Sequence, residues 1–320
     1  MAASYVTLRL PRLRAREPNA VLVKELRSRF RGPRAFAALT SFLVLLVSIA
    51  VLFFWMQVRT FSPGGYTGPD ALNQAAYIGR LIFNSVAFME LMFMAFIAPS
   101  LTMNTISGEV ERQTYELLLA TPLSGWAILR GKVGAALAYV LLLIFSALPV
   151  MSLAFLFGGV SAIAVVQAQL TIFVAGLLFL MVGAFWSCHT RRTARSAVLS
   201  YLTVGGLCVA PIFVVFIIGA ILRTSWDQNS VLFLMLMQVT PVVSLAAVTF
   251  LQESSNQVND LNLFWAQSML LHELLLMLLY AFAGARIRPV GRGTVMAILV
   301  LAFLFGLWFA WSIASPPRIF

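Results

Sequence analysis

Apolar runs of bilayer-crossing length follow one another along almost the whole chain, at roughly 35–58, 76–103, 126–157, 162–187, 197–222, 263–285 and 293–314. About twenty apolar residues span the hydrocarbon core as a helix, and in lipid every backbone polar group must be satisfied within the segment. The runs therefore predict an all-α polytopic membrane protein with one transmembrane domain. Composition agrees: 61% of the 320 residues are hydrophobic and 10% charged, against about 45–50% and about 25% in soluble domains. The net charge of +11 is carried in loops and at span ends, which points to membrane orientation and away from nucleic acid. Cys188 and Cys208 sit at the end of one run and inside another, so no disulfide framework is expected.

Orientation follows from the basic residues. Nine Lys/Arg precede Phe36, and three each lie in the region 106–132, in the loop 189–195 and in the loop 286–292. Only Arg59, Arg80, Arg223 and Arg318 belong to the other side if the apolar run 231–251 does not cross. The positive-inside rule then puts the N-terminus and these loops in the cytoplasm and, with seven crossings, the C-terminus outside. The run 231–251 carries Gln238, Thr240-Pro241 and Ser244 near its middle. It is read as a re-entrant or interfacial hairpin bent at Thr240-Pro241 on the outer face. The N-terminal segment 1–34 is basic; from Pro18 to Arg31, Leu22, Leu26 and Phe30 share one face while Lys24, Arg27 and Arg31 lie on another. This fits a helix in the headgroup layer; a stop-transfer flank without a defined helix is the other reading.

The segment 104–124 stands apart, being polar and acidic between two very apolar runs. As one helix over about 106–121, Glu109, Arg112, Gln113 and Glu116 form a polar stripe at i, i+3, i+4 and i+7, with Glu111 and Tyr115 at its edges. Ile106, Val110, Thr114, Leu117 and Leu118 form the other face. Thr121-Pro122 should stop this helix and Ser124 should cap the next. An amphipathic connector is the plain reading.

The ordered residues suggest more. Ser107-Gly108-Glu109, Glu111-Arg112, Thr114, Glu116-Leu117-Leu118 and Thr121-Pro122-Leu123-Ser124 resemble the signature of ABC-2-type ABC transporter permeases. The resemblance is dense over about twenty residues and elsewhere rests on span layout and basic loops. It implies a six-span exporter-like (type V) bundle over 35–285, with an N-terminal elbow helix, a cytoplasmic coupling helix and a re-entrant element before the last core span. The segment 286–320, with its seventh span, departs from that pattern. The resemblance further implies two copies of an ABC ATP-binding subunit docked through Gly108, Glu109, Glu111, Arg112, Gln113, Thr114, Tyr115, Glu116, Thr121 and Pro122. A second permease subunit, as homodimer or heterodimer, would complete the path in a bacterial cytoplasmic (inner) membrane. A periplasmic or membrane accessory protein is a further candidate partner, with the alternative function of passing ATPase-driven force to it without transport.

Catalytic chemistry is not expected in this chain. Gly125 to Lys132 looks like a phosphate loop, but it has one residue too many between the glycines and Val133 where Ser or Thr should bind magnesium. ATP and Mg are accordingly expected on the partner ATPase, with no cofactor here. His272-Glu273 begins like HExxH, but Leu276 replaces the second histidine, so no metal is expected. Within the spans, Glu90 is the most unusual residue, with Asn84 on the same run and Glu273 in a later one. A carboxyl at that depth is costly and faces the bundle interior. It either lines a path or hydrogen-bonds across a helix or dimer interface.

Overall fold

The computed structural model describes residues 20–31, 33–60, 69–121, 123–222, 231–249, 258–287 and 300. Along the chain run α1 (Ala20–Phe30), α2 (Pro33–Thr60), α3 (Pro69–Thr102), α4 (Ser107–Glu111), α5 (Tyr115–Leu119), α6 (Gly125–Phe157), α7 (Ala162–His189), α8 (Thr193–Leu222), α9 (Val231–Val239), α10 (Pro241–Thr249) and α11 (Val258–Ile287). Six of these (α2, α3, α6, α7, α8 and α11) are long and apolar enough to cross a membrane. The protein is thus an all-α multi-pass membrane protein. Apart from Val300, the seventh apolar run, 293–314, lies outside the described residues, as do the basic segment 1–19 and Pro122.

α7 is the central helix. It is apolar all round and buried along most of its length, the pattern of a helix enclosed by others. It packs on α3, α6, α8, α10 and α11. Small residues let helix backbones approach closely in lipid, and α7 uses Gly183 this way: a Cβ there would meet Thr102 Oγ1 and lie 2.8 Å from the Pro99 carbonyl oxygen. Thr102 Oγ1 donates to the Leu180 carbonyl at 2.7 Å, joining α3 to α7 where they touch. By contrast α2 and α8 leave most of their apolar side chains exposed, including Phe54, Trp55, Phe213 and Phe216.

The turn between α6 and α7 is tight because Gly158 and Gly159 have φ of 75° and 81°. The start of α3 packs onto this turn, where a Cβ on Gly79 would lie 2.9 Å from the Ala154 carbonyl oxygen. This end of the bundle carries few basic residues; the opposite end carries Lys24, Arg27, Arg29, Arg112, Arg130, Lys132, Arg191, Arg192, Arg195 and Arg286.

The run 231–251 is broken where the sequence predicts. α9 and α10 are nine residues each, so each rises only about 13 Å, less than half the hydrocarbon core of about 30 Å. Thr240 sits between them, and its hydroxyl accepts from the Val243 N–H at 3.0 Å as the N-cap of α10; Pro241 follows at the first helical position, where its missing N–H is harmless. The bend packs against the middle of α11, where His272 Nε2 bonds the Val239 carbonyl at 2.9 Å. α10 then returns toward the α6–α7 turn, where Val248 and Thr249 share a cavity with Gly159 and Ser161.

Candidate functional site

The segment between α3 and α6 is two short helices, which corrects the single helix expected over about 106–121. Gln113 has φ of 58°, the only non-glycine positive φ among the described residues. The cause is Thr114. Its hydroxyl donates to the Glu109 carboxylate and its N–H to the Glu109 carbonyl at 2.9 Å. Local side-chain bonds of this kind compete with helix continuation, and they offset the roughly 1–2 kcal/mol of a left-handed residue. α5 then carries one more turn, and Ser124 caps α6 as expected, accepting from the Ala127 N–H at 3.2 Å.

The segment is tied directly to α6, α7, α8 and α11. The Ser187 hydroxyl, in the last turn of α7, accepts from the Ile106 and Ser107 N–H groups at 2.9 and 3.1 Å. That satisfies donors a helix start leaves open. Ile106 is buried in an apolar cluster with Ile128, Leu129, Met181, Ala184 and Ile287. Glu111 accepts from the Thr193 N–H at 2.8 Å and from its hydroxyl at 2.9 Å, which caps the start of α8. The Tyr115 hydroxyl donates to the Ile287 carbonyl at the end of α11, 3.2 Å away. Arg29 of α1 donates to the Leu101 carbonyl in the last turn of α3 at 2.7 Å.

Lys132 of α6 is the charge centre. Its ammonium lies 2.9 Å from Glu109 Oε1 and 3.1 Å from Glu25 Oε1, and its side chain is only 6% exposed. The preceding Gly131 lets α1 close over it, since a Cβ there would lie 2.9 Å from Val21 Cβ. The stretch that looks like a phosphate loop is therefore the first turns of α6, holding α1 and α4 together.

This geometry changes the expected polar face. Glu109 turns inward to Lys132, Glu111 across to Thr193 and Tyr115 inward to Ile287. Arg112, Gln113 and Glu116 stay exposed, and so does Leu117, which was expected on the apolar side and is 72% exposed. The break between α4 and α5 removes the common helical phase that would have put all four polar residues on one stripe. Gly108 faces Asn104 and Thr193 with room for a Cβ, and the Thr121 hydroxyl donates to the Leu118 carbonyl at 2.7 Å. Sequence reasoning missed Glu25, Arg29, Ser187 and Thr193, whose partners lie 72 to 107 residues away.

Glu90, Asn84 and Glu273 join neither this site nor one another. Glu90 is fully buried and accepts from Gln169 Nε2 at 3.0 Å, across α3 and α7. Asn84 lines a separate cavity of about 160 Å3 near the α6–α7 turn, and Glu273 is exposed on α11. Further amide pairs went unforeseen: Gln238 donates to Gln267 at 2.8 Å and Gln167 to Asn262 at 3.0 Å. Among the described residues no three His, Cys, Asp or Glu side chains gather as a metal group.

Glu90→Gln is expected to leave thermal stability within about 1 kcal/mol, because the amide keeps the shape and an acceptor for Gln169. Glu90→Leu strips a partner from a buried amide and is expected to cost about 1–3 kcal/mol. Thermal unfolding of the detergent-purified variants compares them; an equal loss in both would mean that the carboxyl itself is required. No protein-family model matches the chain, and no curated protein matches it.

Proposed function

We propose that the chain is the membrane permease subunit of an ABC exporter, with the α4–α5 segment as its coupling element. The observation that carries this is the exposed surface of Arg112, Gln113, Glu116 and Leu117 on an element bonded to α6, α7, α8 and α11. A docking surface must be exposed, and to be useful it must also pull on the spans. The ordered Gly-Glu, Glu-Arg, Glu-Leu-Leu and Thr-Pro series supports the same reading. Two ATP-binding subunits, each holding ATP and Mg, would close on one another and displace the segment. The Glu111–Thr193 cap and the Tyr115–Ile287 bond then pass the displacement to α8 and α11.

In this reading the basic end is cytoplasmic, the α9–α10 hairpin is re-entrant from the outside, and the seventh span carries the C-terminus outward. A second permease subunit completes the path.

Glu116→Lys and Leu117→Asp are expected to abolish capture of an ATPase without unfolding the spans, because both side chains lie on the exposed face. Losing one partner of a desolvated interface charge costs about 2–5 kcal/mol, at least tenfold in affinity. Protein purified from its native membrane should bring with it vanadate-sensitive ATP hydrolysis that both variants lose and Asp70→Lys, at the opposite end, retains. Equal ATPase capture by all three would reduce the segment to an amphipathic connector.

A further inference from the structure

At the basic end a cavity of about 700 Å3 opens between α1, the last turn of α3, α4, α6 and the first turn of α8. Its lining carries both signs of charge: Arg29, Arg112 and Lys132 against Glu25, Glu109 and Glu111. Such a balanced lining rejects a polyanion such as a nucleotide, since three carboxylates would repel it. Several of these groups still have bonding capacity. Arg29 lines the cavity and spends one terminal nitrogen on Leu101. Arg112 and Asn104 are exposed at the rim. Together they offer donors to a phosphate. On the other side Lys132 is shared between Glu25 and Glu109, so these two carboxylates keep one negative charge in excess, and Glu111 lies beyond them.

We propose that this cavity binds the headgroup of a phosphoethanolamine lipid, with the phosphate toward Arg29, Arg112 and Asn104 and the ammonium toward the carboxylates. The source is the bilayer because of what adjoins the cavity. Ser100 and Asn104 line it, and one and two turns deeper on the same face of α3 come Phe96 and Met92, 59% and 50% exposed. That apolar stripe, at i and i+4 spacing, gives an acyl chain a surface continuous with the headgroup site. A primary ammonium is favoured over a choline, because only the former has N–H donors for the carboxylates.

The test uses the full chain purified in detergent with no ATPase present, so its outcome is independent of the coupling proposal. Native mass spectrometry reads retention of phosphatidylethanolamine, phosphatidylcholine and phosphatidylglycerol of matched acyl chains. Phosphatidylethanolamine is expected to be retained about tenfold over the other two, the scale of one charge-assisted hydrogen bond. Arg112→Gln, on the exposed rim, is expected to cut that retention about tenfold, as is Arg29→Gln. Glu25→Gln should erase the preference over phosphatidylglycerol. Equal retention of the three lipids, or no change in Arg112→Gln, overturns the site. Displacement by glycerophosphoethanolamine as readily as by the diacyl lipid overturns the membrane source. Retention that tracks dimer dissociation but not Arg112→Gln would assign the stripe to a second copy instead.

Discussion

Lys132→Met is expected to release α1 and the α4–α5 segment from the bundle while leaving the spans in place. The substitution keeps the length and apolar stem of the side chain and removes only the ammonium that holds Glu25 and Glu109 at 3.1 and 2.9 Å. Two carboxylates would then face each other with no cation between them. Removing one partner of a fully buried pair costs about 3–5 kcal/mol; here the two Glu side chains are 23% and 25% exposed, so water relieves part of it and about 2–3 kcal/mol is expected. Hydrogen exchange should show faster exchange over 107–119 and 20–30, with protection of α7 unchanged. The triple variant Lys132→Met, Glu25→Gln, Glu109→Gln should regain much of the loss, because the uncompensated charges are gone. Parent-like exchange over 107–119 in Lys132→Met would remove Lys132 from this role.

What could be read from the sequence was what depends on neighbours in the chain. The six described spans follow from apolar run length. The Ser124 cap and the break at Thr240-Pro241 follow from residues three or fewer apart. The direction in which Glu109 faces could not be read this way. A helical wheel puts it with Arg112 and Glu116, but its ammonium partner is 23 residues on, and that same ammonium binds Glu25, 107 residues from Lys132. A periodic pattern is also indifferent to one interrupting residue, so the Thr114 hydroxyl that turns Gln113 into the left-handed region left no mark on it. Within the spans, Gln167, Gln169, Gln238 and Gln267 are visible as polar residues in apolar runs. Their pairing is set by which helices meet, and that is decided by small residues such as Gly183 rather than by the amides.

Gly183→Val is expected to damage the α3–α7 seam severely. A Cβ at this position meets Thr102 Oγ1 and would sit 2.8 Å from the Pro99 carbonyl oxygen and 3.2 Å from its Cα. The hydroxyl could rotate away only by giving up its 2.7 Å bond to the Leu180 carbonyl, leaving a fully buried polar group with at most its long 3.4 Å contact to the Pro99 carbonyl. The Pro99 backbone has no rotamer to change, so α3 itself must move. Overpacking of a tight core costs about 1–3 kcal/mol and an orphaned buried hydroxyl about 1–3 more, giving roughly 3–5 kcal/mol together. The strain should also reach the candidate site, because Thr102 is the last residue of α3 and Ser187, one turn beyond Gly183, holds the Ile106 and Ser107 N–H groups. The control is Gly205→Val in α8, where a new Cβ meets nothing within 4 Å. There the loss of a flexible glycine from a helix makes the change neutral or slightly stabilising. Thermal unfolding and hydrogen exchange over 103–111 measure both. If Gly183→Val melts with Gly205→Val, the α3–α7 seam can yield, and this close approach does not set the packing of the bundle.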